Sequence, residues 1–357
     1  GCRMKDLLFL SNGHGEDMIA CRVLDEVRAL RPETSVDAWA MVGQGNAYRA
    51  RGIKPEGAPN LLPSGGFAAV EWKLMRSDLR AGWIRTHWKQ LRHARSLPGL
   101  YRLLVCVGDI IPILGGVFSR TPFMFVGCAK SDYYGAGYGY TRLEKHLLRR
   151  HCTMTFPRDG LTARSLAAAG VRVGDLGNPM MDGLEGTGDR LGLPENAAVV
   201  AMLAGTREDA ETNFLDLLAA AAAIARRHAD PARLRFVFPV RDAFDPGAAK
   251  AAIEADARLA GCTARPGVGE AAVLSIGLDG GAGAIVAKDR FADALRMSAV
   301  AVGMAGTANE QAVGLGIPLV TAPSRGIQGE RFVRMKMRYF GESAVATAND
   351  PDAIADA

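Results

Sequence analysis

The residues best suited to chemistry lie late in the chain, at Gly303-Met304-Ala305-Gly306-Thr307-Ala308-Asn309-Glu310-Gln311. They follow the apolar run Ala299–Val302 and precede a short amphipathic segment, so they read as strand, glycine-containing turn and helix start. The first N–H groups of a helix lack partners inside it, and the peptide dipoles add partial positive charge there. A diphosphate fits such a turn, and glycines let it approach the backbone closely. Glu310 can then accept hydrogen bonds from ribose hydroxyls. A plainer reading has Thr307 capping the helix and Glu310, three residues on, closing a capping box with it. The spacing allows both.

Other strand ends carry comparable groups. At Met202-Leu203-Ala204-Gly205-Thr206-Arg207-Glu208 small residues again precede a helix, and the Arg207 guanidinium can hold a phosphate through paired hydrogen bonds. A capped helix with an exposed Arg207–Glu208 pair fits equally. Near the start, Ser11-Asn12-Gly13-His14-Gly15-Glu16-Asp17 follows the first strand, where ligands of doubly wound sheets sit. Its glycines permit unusual backbone angles, and His14 is placed to face a cleft; otherwise it is a glycine turn with Asp17 capping the next helix. Asp17 and Met18 stand where the last glycine of a dinucleotide fingerprint belongs, which argues against a nicotinamide cofactor. Asp109 closes the run Val105-Cys106-Val107-Gly108, a position that suits an acid–base group or a helix cap.

Segment 72–95 holds seven Lys/Arg against one Asp, with Trp72, Trp83 and Trp88 among them. Basic residues with aromatic anchors suit an anionic membrane surface; the same pattern serves a helix packed on a sheet with solvated arginines. The net charge of +5 is unevenly shared: residues 1–182 hold 25 Lys/Arg against 16 Asp/Glu, the remainder 18 against 22. A basic half points to an anionic surface or substrate. Nucleic acid is not expected, since no helix-turn-helix, zinc finger or aromatic RNA-binding motif is present. The six cysteines are scattered, as reduced cytosolic thiols would be, and form no metal-ligating set. No run reaches the roughly 18 apolar residues of a membrane span. The opening residues lead straight into a strand with no room for a signal peptide. The first residue is Gly rather than Met and the chain stops inside a helical pattern, so both ends read as open.

Short apolar runs alternate with amphipathic segments along the 357 residues, the pattern of parallel sheets with crossover helices. Strands are expected at 7–10, 36–41, 103–107, 123–126, 153–155 and 173–176, then at 199–203, 235–239, 284–287, 299–303 and 318–321. Helices are expected at 18–30, 70–97, 141–150 and 161–169, then at 210–228, 248–260, 291–297 and 308–314. Glycine and polar residues cluster between Asp182 and Pro194, which places a domain boundary there.

Gly303–Gln311 and the residues through Thr321 resemble the donor-binding segment of lipid A disaccharide synthases, and more closely that of the lipid-A-disaccharide synthase-related family. Ser11–Asp17, Val126–Tyr134, Arg158–Ala163 and Gly177–Asp182 are similar to further family segments in the same order, over nearly the whole chain. The resemblance implies a GT-B fold: two Rossmann-like parallel-sheet α/β domains facing a cleft, with 1–182 taking the acceptor and 183–357 the nucleotide-sugar donor. It implies inverting, metal-independent transfer of a hexosyl or N-acetylhexosamine group from a UDP-sugar to a lipid-linked acceptor, with no cofactor. Donor contacts then fall on Gly205, Thr206, Arg207, Gly303, Met304, Ala305, Gly306, Thr307, Asn309, Glu310 and Gln311. The acceptor side takes Asn12, Gly13, Gly15, Glu16, Lys130, Ser131 and Asp132. Such transfer needs a base for the acceptor hydroxyl and a stabiliser for the leaving diphosphate. Asp109 ranks first as base and His14 second, ahead of Asp132. Two segments depart from the synthase pattern: Ala204-Gly205-Thr206-Arg207 lacks its proline, and Gly108–Pro112 has one carboxylate fewer. The implied setting is cytoplasmic, peripheral on the inner membrane face through 72–95, with a homodimer compatible. A UDP-sugar epimerase or hydrolase, or a non-catalytic nucleotide-sugar-binding or membrane-scaffold protein, fits the same pattern.

Overall fold

A computed structural model describes residues 4–56, 89–90, 92–205, 209–241, 243–326 and 328–357. The chain divides into two compact units, Gly1–Met180 and Met181–Ala357.

The first unit is built on five parallel strands, β1 (Lys5–Ser11), β2 (Val36–Ala40), β3 (Tyr101–Gly108), β4 (Phe123–Gly127) and β5 (Cys152–Pro157), in the order β2-β1-β3-β4-β5. The strands carry apolar runs such as Leu7–Leu10 and Leu103–Val107 because both sheet faces are covered. Side chains alternate between faces: Leu8 and Leu10 join Leu104, Cys106 and Phe125 in one core, while Phe9 joins Val105, Val107, Ile19 and Leu24 in the other. The helices are α1 (His14–Leu30), α2 (Asn46–Arg49), α3 (Ile110–Ser119), α4 (Arg142–His151) and α5 (Gly160–Ala168). In α3, a Cβ at Gly116 would stand 2.7 Å from the Phe123 ring, so glycine sets how closely helix and strand pack. α4 opens on a capping box between Thr141 and Glu144.

The structure departs from expectation at two of these elements. α1 begins at His14 rather than Met18, where acidic Glu16 in the first turn favours the positive helix end and offsets the cost of Gly15. At 173–176 only a single bridge forms, Thr155 to Val173, and Leu176 is exposed. Of the helix expected at 70–97, residues 89–90 and 92–94 are helical; the remainder before them, with the tryptophan-bearing face at 72–88, lies outside the described residues.

Asp17, expected as a cap, is instead buried within the first turn of α1 and accepts a 2.6 Å hydrogen bond from Ser11, whose hydroxyl also meets Tyr48 at 2.6 Å. Burial pushes its carboxyl up from 3.8 to about 7. The folded chain therefore holds this proton more tightly than the unfolded one, and stability falls as pH rises between those values. Asp17→Asn retains an oxygen for Ser11 without the charge. Denaturant titrations should show it matching wild type at pH 4 and exceeding it at pH 8, by at most about 4 kcal/mol. Lower stability at pH 8 would contradict this.

The second unit holds an eight-stranded sheet in the order β13-β12-β11-β6-β7-β10-β9-β8. Its strands are β6 (Ala198–Leu203), β7 (Leu234–Val240), β8 (Thr263–Pro266), β9 (Ala272–Gly277), β10 (Gly283–Lys288), β11 (Val300–Gly303), β12 (Leu319–Thr321) and β13 (Ala344–Ala346). All pairs are parallel except those of β9. The helices are α6 (Ala210–Arg227), α7 (Pro246–Ala255), α8 (Phe291–Met297), α9 (Thr307–Gly314), α10 (Glu330–Phe340) and α11 (Pro351–Asp356). Ala219–Ala223 of α6 are buried, and Phe214 packs edge-on against Phe238 with centroids 4.9 Å apart. Asp293 of α8 accepts from the backbone N–H of Thr187 (2.6 Å) and Gly188 (2.8 Å), which fixes the segment leading into β6. Among the described residues no helix is long and apolar enough to cross a membrane.

Candidate functional site

Strand order in the first sheet turns around at β1, with β2 on one side and β3 on the other. Loops beyond the carboxyl ends at such a point diverge and leave room for a ligand. Here they carry Asn12 and Asp109. The Asn12 amide Nδ2 donates to Asp109 Oδ1 at 2.7 Å, and the backbone N–H of Ile111 donates to the same oxygen at 2.9 Å. Asp109 therefore caps α3, while its Oδ2 receives no hydrogen bond among the described residues. A Cβ on Gly108 would stand 1.9 Å from Asn12 Oδ1, so glycine is required beside the asparagine, and φ there is +135°. Burial raises the Asp109 carboxyl above its ordinary range, opposed by the two hydrogen bonds and by the Lys130 ammonium. A carboxylate held above its ordinary range is a stronger base than a free one, which suits it to accept a proton. Glu16 lies close by, with Cγ 3.3 Å from the same Cβ position on Gly108. His14 is exposed as the first residue of α1, Gly13 is its N-cap, and Gly15 has open space around it.

The loop after β4 is held in place by polar contacts. Lys130 pairs with buried Glu144 at 2.8 Å. Ser131 is fully buried and donates to Asp159 at 2.7 Å, and the backbone N–H of Asp132 donates to Thr162. Arg158, also buried, donates to the Cys128 carbonyl and the Tyr134 hydroxyl. Ser131 and the Arg158–Ala163 segment thus shape the loop, and the Asp132 carboxylate, against Gly139, is its more accessible group.

In the second sheet the order turns around at β6, flanked by β7 and β11. The turns after β6 and β11 meet: Gly205, at φ +84°, has its open side toward Ala305, 3.7 Å from where a Cβ would stand. The positive φ there excludes most side chains at low cost. Gly303 is equally constrained, since a Cβ would stand 2.0 Å from Asn309 Oδ1. Asn309 is buried and donates to the Gly303 carbonyl (3.2 Å) and Thr321 hydroxyl (3.1 Å), tying β11 to β12. Met304, Ala305, Glu310 and Gln311 are buried as well, whereas Thr307 is exposed. Thr206 and Arg207 lie outside the described residues.

The capping box expected of Thr307 and Glu310 does not form. The N-cap is Gly306 and Thr307 is already the first helical residue, so the pair is one position out of register. The Glu310 carboxylate is instead buried in an ion pair with Lys336 of α10. The Gln328 amide and the Phe332 ring rest on Gly306, 2.8 and 3.4 Å from its Cβ position. Between them and the turn remains a void of about 10 Å³, room for one water. None of these three residues was anticipated. The apolar recurrence Phe332-Val333-Met335-Phe340 at helical spacing was the available signal. Among the described residues no three His, Cys, Asp or Glu side chains converge as a metal would need.

No family model and no curated protein matches the sequence. Solved structures do. Acinetobacter baumannii MurG superposes with a TM-score of 0.55 at 10% identity, over 99% of this chain and 89% of that one. CalG4, the calicheamicin glycosyltransferase, gives 0.54 at 15% identity over 99% and 89%. The UDP-GlcNAc 2-epimerase of Neisseria meningitidis, solved with UDP-GlcNAc, gives 0.52 at 12% identity over 98% and 89%. At these identities the likeness is one of fold. The chain has the two Rossmann-like parallel-sheet α/β domains of the GT-B architecture.

Proposed function

We propose that the protein is a glycosyltransferase using a nucleotide-sugar donor, a UDP-sugar, and an acceptor that carries a lipid. The observation that carries the reading is the meeting of two glycine turns, Gly205 against Ala305 in the turn that ends on Gly306, where the second sheet changes direction. Backbone N–H groups at helix starts can hold a diphosphate there and stabilise it as it leaves, without a metal. For a phosphate to reach this turn, the Gln328 amide and the Phe332 ring that now rest on Gly306 have to give way. The calicheamicin enzyme and the UDP-GlcNAc-bound epimerase share the fold, which supports a nucleotide sugar as ligand. The reading assigns the donor to the second unit and the acceptor to the first. Asp109 takes the proton from the acceptor hydroxyl as that oxygen attacks the anomeric carbon from the side opposite the diphosphate, inverting it.

A thermal-shift panel of UDP-sugars, dTDP-sugars and NAD tests this. A UDP-sugar at 100 times its dissociation constant should add roughly 2.7 kcal/mol of stability to wild type. Gly306→Val, which fills the turn, should lose that gain. Stabilisation by none of the UDP compounds would end the reading. Release of an epimer or free sugar with no acceptor present would move the assignment to a UDP-sugar epimerase or hydrolase.

A further inference from the structure

We infer that Asn12 is a positioning residue for the transfer reaction: through its amide it decides which oxygen of Asp109 receives the acceptor's proton. The inference rests on the reading of Asp109 as base. Asn12 is 4% exposed, and opposite the ionised Asp109 carboxylate only one orientation of its amide is tenable. Turning it over would set two oxygens 2.7 Å apart, since Nδ2 now occupies that contact with Asp109 Oδ1. Its own Oδ1 is buried without a hydrogen-bond partner, lying in the space that Gly108 leaves by lacking a Cβ. A buried polar atom left unpaired is costly. The cost is met here by the bond that Nδ2 makes.

Two donors, Asn12 Nδ2 and Ile111 N, converge on Asp109 Oδ1. A proton on Oδ1 would compete with the two N–H groups for its lone pairs and cost at least one of the bonds, whereas a proton on Oδ2 leaves both intact. The acceptor's proton therefore ends on Oδ2 while its oxygen bonds to the anomeric carbon and the bond to the diphosphate breaks. The charged and titratable groups around Asp109 are Glu16 of α1, beside Gly108, then Cys128 and Lys130 after β4, Tyr140, and Glu144 of α4. None of these supplies a hydrogen bond to Asp109 Oδ1.

The test is carbon NMR titration of the full chain with labelled aspartate, the Asp109 carboxyl signal being assigned from Asp109→Asn. Asn12→Ala removes the donor; Gly108→Ala should dislodge it. Each is expected to raise the Asp109 midpoint by roughly one to two pH units, the loss of one hydrogen bond to a charged group. The double variant should go no further than either single one. The acidic limb of the kcat–pH profile should move with the midpoint, and UDP affinity should hold. Asn12→Asp keeps the shape and should give two separated titration steps shared by the pair. An unmoved midpoint in the single variants, additive shifts in the double, or unsplit titration in Asn12→Asp overturns the inference. Full transfer by Asp109→Asn would instead remove the base assignment and leave the NMR result standing, so the two failures are separate.

Discussion

Asp109→Asn is expected to lower kcat for sugar transfer roughly 100- to 10,000-fold while leaving nucleotide-sugar affinity unchanged. The substitution is nearly isosteric. Its amide oxygen can still accept from Asn12 and from the Ile111 N–H, so the cap on α3 survives. What disappears is the unbonded oxygen and its ability to take a proton. Asp109→Ala removes the cap too, and should cost about 1 kcal/mol of stability besides the rate. Rates at saturating donor, with calorimetric donor binding in parallel, separate base loss from donor loss. His14, exposed at the start of α1, is the comparison: His14→Gln should affect the rate far less. A rate loss confined to His14→Gln would reverse the ranking.

The largest stability effect is expected at Glu310. Its side chain is 2% exposed and that of its partner Lys336 12%, with the ammonium also 5.3 Å from the Phe332 ring centroid. Glu310→Ala strands a buried ammonium, and breaking such a pair by removing one side typically costs about 3–5 kcal/mol. Replacing both partners by apolar residues of similar size is far milder, so Glu310→Leu with Lys336→Met should recover most of the loss. Urea denaturation of the single and double variants checks this. If Glu310→Ala unfolds at the wild-type midpoint, the pair contributes little. Because fold loss and donor loss lower Tm alike, any ribose contact of Glu310 has to be read from the Kd of the double variant.

Much of the sheet architecture was visible in the sequence. Every apolar run expected as a strand appears within two residues or so of its place, except 173–176, where Leu176 has no partner strand and faces solvent. Runs such as Val199–Leu203 are legible because a strand covered on both faces is apolar throughout. The strands at Thr263–Pro266 and Ala344–Ala346 are short, exposed edges with no such run. Ala272–Gly277 alternates only weakly. α3 (Ile-Ile-Pro-Ile-Leu-Gly-Gly) was not anticipated because it is apolar all round and shows no helical period; Pro112 is tolerated in its first turn. At the candidate site, turns after strands were recognisable by glycine and polar residues. Pairings between them were not. Asn12 with Asp109 spans 97 positions and Glu310 with Lys336 spans 26, separations that only the folded topology brings to contact.

The grip of Asp293 on Thr187 and Gly188 bears on how this protein can be dissected. Leu184 is buried, and its carbonyl accepts from Arg296, so the stretch ahead of β6 is part of the second unit's fold. A fragment started at Ala198, where the strand begins, would strip the Asp293 side chain of the Thr187 and Gly188 donors that hold it. One started near Met181 keeps them. Expression trials of the isolated half should favour the longer boundary, in yield of monodisperse material as well as in melting temperature.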